Sequence, residues 1–387
     1  MLLGSVHMMA NQIAQGVQSY RKAVSLDGST VNSRRYLAMA FMAAHRNGEA
    51  ITTWQELLKL SPADPMASEK VRALLLGAGR YGEALVYLLK AEEEHADVPA
   101  IQFQLGEAYA NTREEEKAMK HFHKALELNS TAAMLNAVAY SLAEAGRGLK
   151  DALHYAEEAV EETELHSAKM ELLDTANAGV AASLSAEWDT LGWVKLRLGD
   201  YAGAAKFLEA AWHLMQLPVI GDHLGQAYEK LGKKQQAAAT YAMALNALGQ
   251  NGDATLRQRM TARLTSLAAN GVKVNQKTSG DDLSALRAYR VNSIKGWGGG
   301  YKTATFGIAL TEGPDAPFVW FLGGADELKD SVAELAKVKF KITFPDDGPT
   351  RIVQRGILTC SEATKYCTLI LLPMTERDVP NVTPQIY

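Results

Sequence analysis

The chain has 387 residues, 47% of them hydrophobic, with 40 lysines and arginines against 44 aspartates and glutamates. That length suggests two or three domains, and the composition is that of a folded chain rather than a disordered one. A net charge of -4 gives no electrostatic reason to expect nucleic acid, and no apolar run approaches the roughly 20 residues of a membrane span. The N-terminal stretch carries Asn11, Gln12, Gln15 and Gln18 without a basic region, which argues against a signal peptide.

From the first residues, small and aromatic side chains recur at a fixed interval. Leu3, Gly4, Gly16, Tyr20 and Ala23 open the pattern, and steps of 34 residues give Leu37, Ala38, Ala50 and Trp54, then Ala84, Leu88 and Ala91, then Leu105, Gly106, Ala118, Phe122 and Ala125. Arg72, where a small residue is expected, and Leu57, where alanine is expected, make the second and third units the least regular. Val138, Ala139, Leu142 and Gly146, with Ala152, Ala156 and Ala159, continue the pattern with one residue inserted. Residues 161–185 leave the period and are expected to lengthen a helix before a loop. Trp188, Leu191, Gly192, Gly199, Tyr201, Ala204, Leu208 and Ala211 then form the sharpest unit. A step of 33 residues leads to Leu224, Gly225, Gly232, Ala237, Tyr241 and Ala244.

This pattern resembles the tetratricopeptide repeat, in which two antiparallel helices touch where small residues let their backbones approach. Gly192 and Ala204 would form such a contact, with Leu208 filling the space beside it. The resemblance implies a solenoid of about seven helix-turn-helix repeats over 1–249. Its first helix starts late, leaving Met1, Leu2, Leu3, Met8 and Met9 as stacking residues with nothing to stack on. Either the chain continues a longer protein, or a partner, including a second copy, covers that end.

Residues 254–269 read as one amphipathic capping helix with Leu256, Met260, Leu264 and Leu267 on a stripe, and 271–282 as a linker, so that 250–282 joins two domains. From residue 283 to 387, alternation replaces the helical period. Strands are expected at 286–294, 301–310, 317–322, 338–344, 351–359 and 366–372, with a helix over 325–336 placing Leu328, Val332, Leu335 and Ala336 on one face. This describes a small α+β domain. Its tail, AELAKVKFKITFPDDGPTRIVQRGIL, resembles the C-terminal domain of TonB-type envelope proteins. Cys360 and Cys367 flank a turn on neighbouring strands; a disulfide between them would favour an oxidising compartment such as the bacterial cell envelope over the cytoplasm, whereas two reduced strand cysteines would not.

Catalytic chemistry has no candidate. Residues 296–301 (GWGGGY) lack the Lys-Ser/Thr of a phosphate loop. His121 and His123, two apart on a helix, point in different directions and cannot share a metal. No cofactor is therefore expected. In tetratricopeptide arrays the first helix of each repeat lines a concave groove, which the resemblance maps here onto Arg35, Met39, Met42, Phe103, Glu107, Asn111, Asn136, Tyr140, Asp189, Trp193, Arg197, Asp222, Gln226 and Lys230. Trp193 beside Arg197 is the expected exposed anchor, unless it packs against the 161–185 insertion. The Lys and Asn of a carboxylate clamp and the Asn ladder of extended-peptide binders are both missing from the matching positions. The sequence thus predicts a non-enzymatic scaffold that binds a folded protein or an apolar-aromatic peptide. The second reading is a non-catalytic C-terminal part of a larger, transglutaminase-like envelope enzyme.

Overall fold

The computed structural model describes residues 1–169, 177–250, 252–274, 286–294, 297–311, 315–345 and 350–373. They form helical hairpins followed by a small antiparallel sheet, as the periodicities predict. The chain divides into two compact units, Met1–Ser130 and Thr131–Tyr387.

The first unit contains four hairpins: α1 (Leu2–Met9) with α2 (Ile13–Leu26), α3 (Val31–Ala43) with α4 (Asn47–Leu60), α5 (Pro65–Gly77) with α6 (Tyr81–His95), and α7 (Pro99–Asn111) with α8 (Glu115–Leu128). Small residues set the approach of each pair. A Cβ on Gly106 would stand 2.5 Å from the Phe122 ring, and one on Gly4 2.6 Å from Tyr20. Both are closer than atoms can pack, so the bare glycine backbone is the seat of the ring. Trp54 takes the same place over Ala38, and both are fully buried. Where Arg72 replaces the small residue, a cleft of about 230 Å³ opens, lined by Asp64, Ser68, Arg72, Lys90 and His95 among others. Burial there lowers the Arg72 pKa.

The second unit carries three further hairpins: α9 (Ala132–Ala145) with α10 (Leu149–Lys169), α11 (Asn177–Leu198) with α12 (Tyr201–Leu214), and α13 (Pro218–Lys230) with α14 (Lys234–Leu248). Leu208 lies 2.6 Å from a Cβ built on Gly192, the contact foreseen for it. The irregular insertion lengthens two helices, α10 to 21 and α11 to 22 residues; its loop, 170–176, falls outside the described residues. The extra turns are joined by buried polar bonds. The Thr163 hydroxyl donates to Glu187 Oε1 at 3.0 Å, and the Trp188 indole donates to Glu164 Oε1 at 3.0 Å. Helix α15 (Ala254–Ala269) buries Met260 and Leu267, half-buries Leu256 and Leu264, and is capped by Asp253, which accepts from the Leu256 amide. Most of the expected linker, from 275 on, lies outside the described residues.

Five strands make one sheet: β1 (Ala288–Val291), β2 (Tyr301–Thr311), β3 (Phe318–Gly324), β4 (Arg351–Ser361) and β5 (Tyr366–Pro373), in the order β1-β5-β4-β2-β3 with every pairing antiparallel. One face carries Ala304, Phe306, Ile308 and Leu310 with Leu358, Leu369 and Leu371 in a core closed by Leu328 and Leu335. The expected helix there is a 3-10 turn (Asp326–Ser331) running into one α turn, α16 (Val332–Leu335). The other face turns toward α10 and α11, where the Arg351 amide donates to Ser167 Oγ at 3.1 Å. Cys360 and Cys367 are direct cross-strand partners joined as a disulfide, their Cα atoms 4.0 Å apart.

One expected strand is corrected. Residues 338–344 keep the alternation, with Val338, Phe340, Ile342 and Phe344 packed on the core and Lys339, Lys341 and Thr343 exposed. Yet among the described residues no ladder joins them to a neighbouring strand. Alternation reports one buried face; pairing needs a backbone partner as well.

Candidate functional site

The residues mapped to a groove fall into both units. In the first, Arg35 is tied to Asp64, the N-cap of α5. Phe103 is half-buried against Phe122, ring centroids 5.9 Å apart. Asn111 donates its side-chain amide to the Glu107 carbonyl at 2.9 Å, and burial raises the pKa of the Glu107 carboxyl. Met42 Sδ accepts from the Trp54 indole at 3.4 Å, whereas Met39 remains 48% exposed.

The second unit holds a denser arrangement. Its first helices α9, α11 and α13 lie side by side, followed by α15. Asp189 of α11 and Asp222 of α13 stand at equivalent repeat positions. His223 donates from Nδ1 to Asp189 Oδ1 at 2.9 Å, so the joint of α11 with α13 contains a buried charged and polar bond. The His223 ring stacks on Trp193, centroids 4.2 Å apart at 13°, and the Arg197 guanidinium lies 5.4 Å from the same indole. Tyr140 reaches this group from α9, its ring 6.3 Å from His223. Asp222 is fully buried and accepts at Oδ2 from Arg259 at 2.7 Å and from Gln226 at 3.0 Å. Arg263 bridges Gln226 Oε1 at 2.9 Å and Glu229 Oε1 at 3.1 Å, and the Tyr241 hydroxyl also donates to Glu229. Asn136 lines the same helix as Tyr140, and Lys230 is exposed, 6.0 Å from the Tyr201 ring.

Burial alone would depress the His223 pKa. The charge of Asp189, its hydrogen bond, and the charges of Asp222 and Glu144 outweigh that and raise it. The Tyr140 hydroxyl is pushed up by burial, with Glu144, Asp189 and Asp222 adding to the shift. Three buried atoms in this region find no partner among the described residues: Asn136 Oδ1, Trp193 Nε1 and Asp222 Oδ1. Buried polar atoms without partners cost about 1–3 kcal/mol each.

The expectation of an exposed Trp193 is corrected: only 8% of it is accessible. His223 of the next repeat stacks on its indole. His223, beside the groove position at Asp222, and Arg259 and Arg263 of the capping helix lie outside the groove positions that the repeat defines. Arg259 and Arg263, four apart on the capping helix, were the available signal.

The fold and these stacked first helices define a helical-repeat protein with an appended sheet. Residues 99–131 and 222–247 each match the tetratricopeptide repeat family. Among solved structures, a tetratricopeptide repeat protein from Parabacteroides merdae is similar over 68% of this chain and 96% of that one, at 13% identity and a TM-score of 0.53. MamA from Desulfovibrio magneticus RS-1 is 18% identical over 41% of this chain and 89% of its own, with a TM-score of 0.36. YrrB, described as a TPR protein with an unusual peptide-binding site, is 19% identical over 41% and 81%, with a TM-score of 0.35. No curated protein matches the sequence. Among the described residues no helix is long and apolar enough to cross a membrane.

Proposed function

We propose that the protein is a non-enzymatic interaction scaffold, and that it takes a protein or peptide segment on the first-helix surface of its second unit. The supporting observation is the exposed Arg197 and Lys230, which stand on two neighbouring first helices of a tetratricopeptide-like array beside the His223–Trp193–Arg197 cluster. The exposed Arg197 and Lys230 at the rim supply the first charged contacts. The sheet module, docked through β4 on α10 and α11, serves in this reading as a platform that fixes the lengthened hairpin. Residues 338–344, within the tail that resembles TonB-type C-terminal domains, join no ladder among the described residues.

Affinity capture from a native extract tests this, with the full chain beside an Arg197→Glu/Lys230→Glu variant. Both positions are exposed, so the variant is expected to keep its helicity. A protein retained by the parent and lost by the variant supports the surface; equal retention by both removes it. Trp193 is unsuited to the test, since truncating a buried indole costs about 3–5 kcal/mol.

A further inference from the structure

The sheet has a second feature that the scaffold reading does not use. Among the described residues strand β1 pairs with β5 alone, so the backbone groups on its outer edge face away from the ladder. Beside that edge runs the extended segment 338–344, whose own backbone groups are equally without a strand partner among the described residues. One bond ties the two together, from the Lys341 amide to the Tyr289 hydroxyl at 3.0 Å, next to an edge-on contact of Tyr289 with Phe340. Between them lies a cleft of about 420 Å³, bounded by residues 288–293 on one side and by Glu334, Lys337, Val338, Lys339 and Lys341 on the other.

Apart from one matched pair, the charge lining this cleft is positive. Lys337 is matched by Glu334, at 3.1 Å. Lys339 and Lys341 form no ion pair among the described residues, and Arg290 leans on the Tyr366 ring, 4.1 Å from its centroid, and on Asn292. Because Val338, Phe340 and Ile342 face the core, the intervening lysines point to the open side at the two-residue repeat of a strand. An extended chain with carboxylates at alternate positions matches that spacing, and its backbone can pair with the free edge of β1.

We propose that this cleft binds an acidic extended peptide by strand addition to β1, with Lys339 and Lys341 facing its carboxylates.

Fluorescence anisotropy with the full chain tests it, using a labelled peptide of about eight alternating glutamates and valines. Saturable binding is expected, weakened at least about tenfold by Lys339→Glu/Lys341→Glu and by raising salt. Lys339→Arg/Lys341→Arg keeps the charge and is expected to keep the binding. The same peptide N-methylated at alternate amides is expected to bind far more weakly, since it cannot complete the ladder. Absence of saturable binding, equal binding of an alternating lysine–valine peptide, an unaffected charge-reversed variant of unchanged thermal midpoint, or equal binding of the N-methylated peptide would each overturn the proposal.

Discussion

Asn11, His45, Gly79 and Arg113 lie 34 residues apart, and each takes a positive φ, between 55° and 69°, in the turn between the two helices of its hairpin. Gly146, Gly199 and Gly232 do the same in the second unit. The turn demands a left-handed residue, for which glycine is suited and a side chain is strained by about 1–2 kcal/mol. His45 and Arg113 therefore carry a cost that the glycine turns avoid. Arg113→Gly is expected to stabilise the first unit by roughly 0.5–1 kcal/mol, the relief of strain being partly offset by the greater freedom of unfolded glycine. In the same hairpin Gly106→Val drives its side chain into Phe122 and is expected to destabilise by at least about 1–3 kcal/mol. Urea midpoints of the two variants should move in opposite directions; a loss of stability in both would contradict the turn assignment.

Helix pairing shows what periodicity can and cannot carry. The signature glycines and their aromatic partners were legible because each pair sits within one repeat, and α15 was legible because its apolar stripe lies on one helix. The His223–Trp193 stack was not, because it joins α11 to α13 and neither repeat alone requires it. Alternation in 338–344 likewise revealed a buried face but not a missing ladder. The α11–α13 joint has a pH dependence that follows from its partners. Folded His223 holds its proton more firmly than a free imidazole, whose pKa is about 6.5. Its stabilisation is thus full below about pH 6.5 and is lost as pH rises through the higher folded pKa. Burial raises Glu187 to about 7 despite the bond from Thr163, and its stabilising protonation is likewise lost as pH climbs toward that value. His213, whose pKa burial lowers, acts in the opposite sense. Comparison with His223→Gln isolates the first of these. The variant should lose about 1.5–3 kcal/mol at pH 6 and visibly less at pH 8.5, in thermal midpoints of the second unit; a constant difference across that range would mean that the ring is held neutral.

At the scale of the molecule, the two compact units respond differently to reduction. Both cysteines of the chain lie in the second. The boundary near residue 130 is hard to see in the sequence, since the repeat pattern continues through it with only a one-residue change of spacing. What couples the sheet to the later hairpins is also local and polar: Ser167 with the Arg351 amide, His213 with Thr343 at 3.3 Å, and Arg287 with Gln216. Val353, 2% exposed, lies on the strand that meets α10 and α11. A sheet seated this way should melt with those helices rather than as a separate body. Opening the Cys360–Cys367 bridge releases a short loop whose closure is worth about 2 kcal/mol. Dithiothreitol is therefore expected to lower the midpoint of one helical transition at 222 nm, that of the second unit, and to leave the transition of the first in place. If reduction instead shifted only the near-ultraviolet signal of the sheet, with both helical transitions unmoved, the docking of β4 on α10 and α11 would be too weak to make them one cooperative unit.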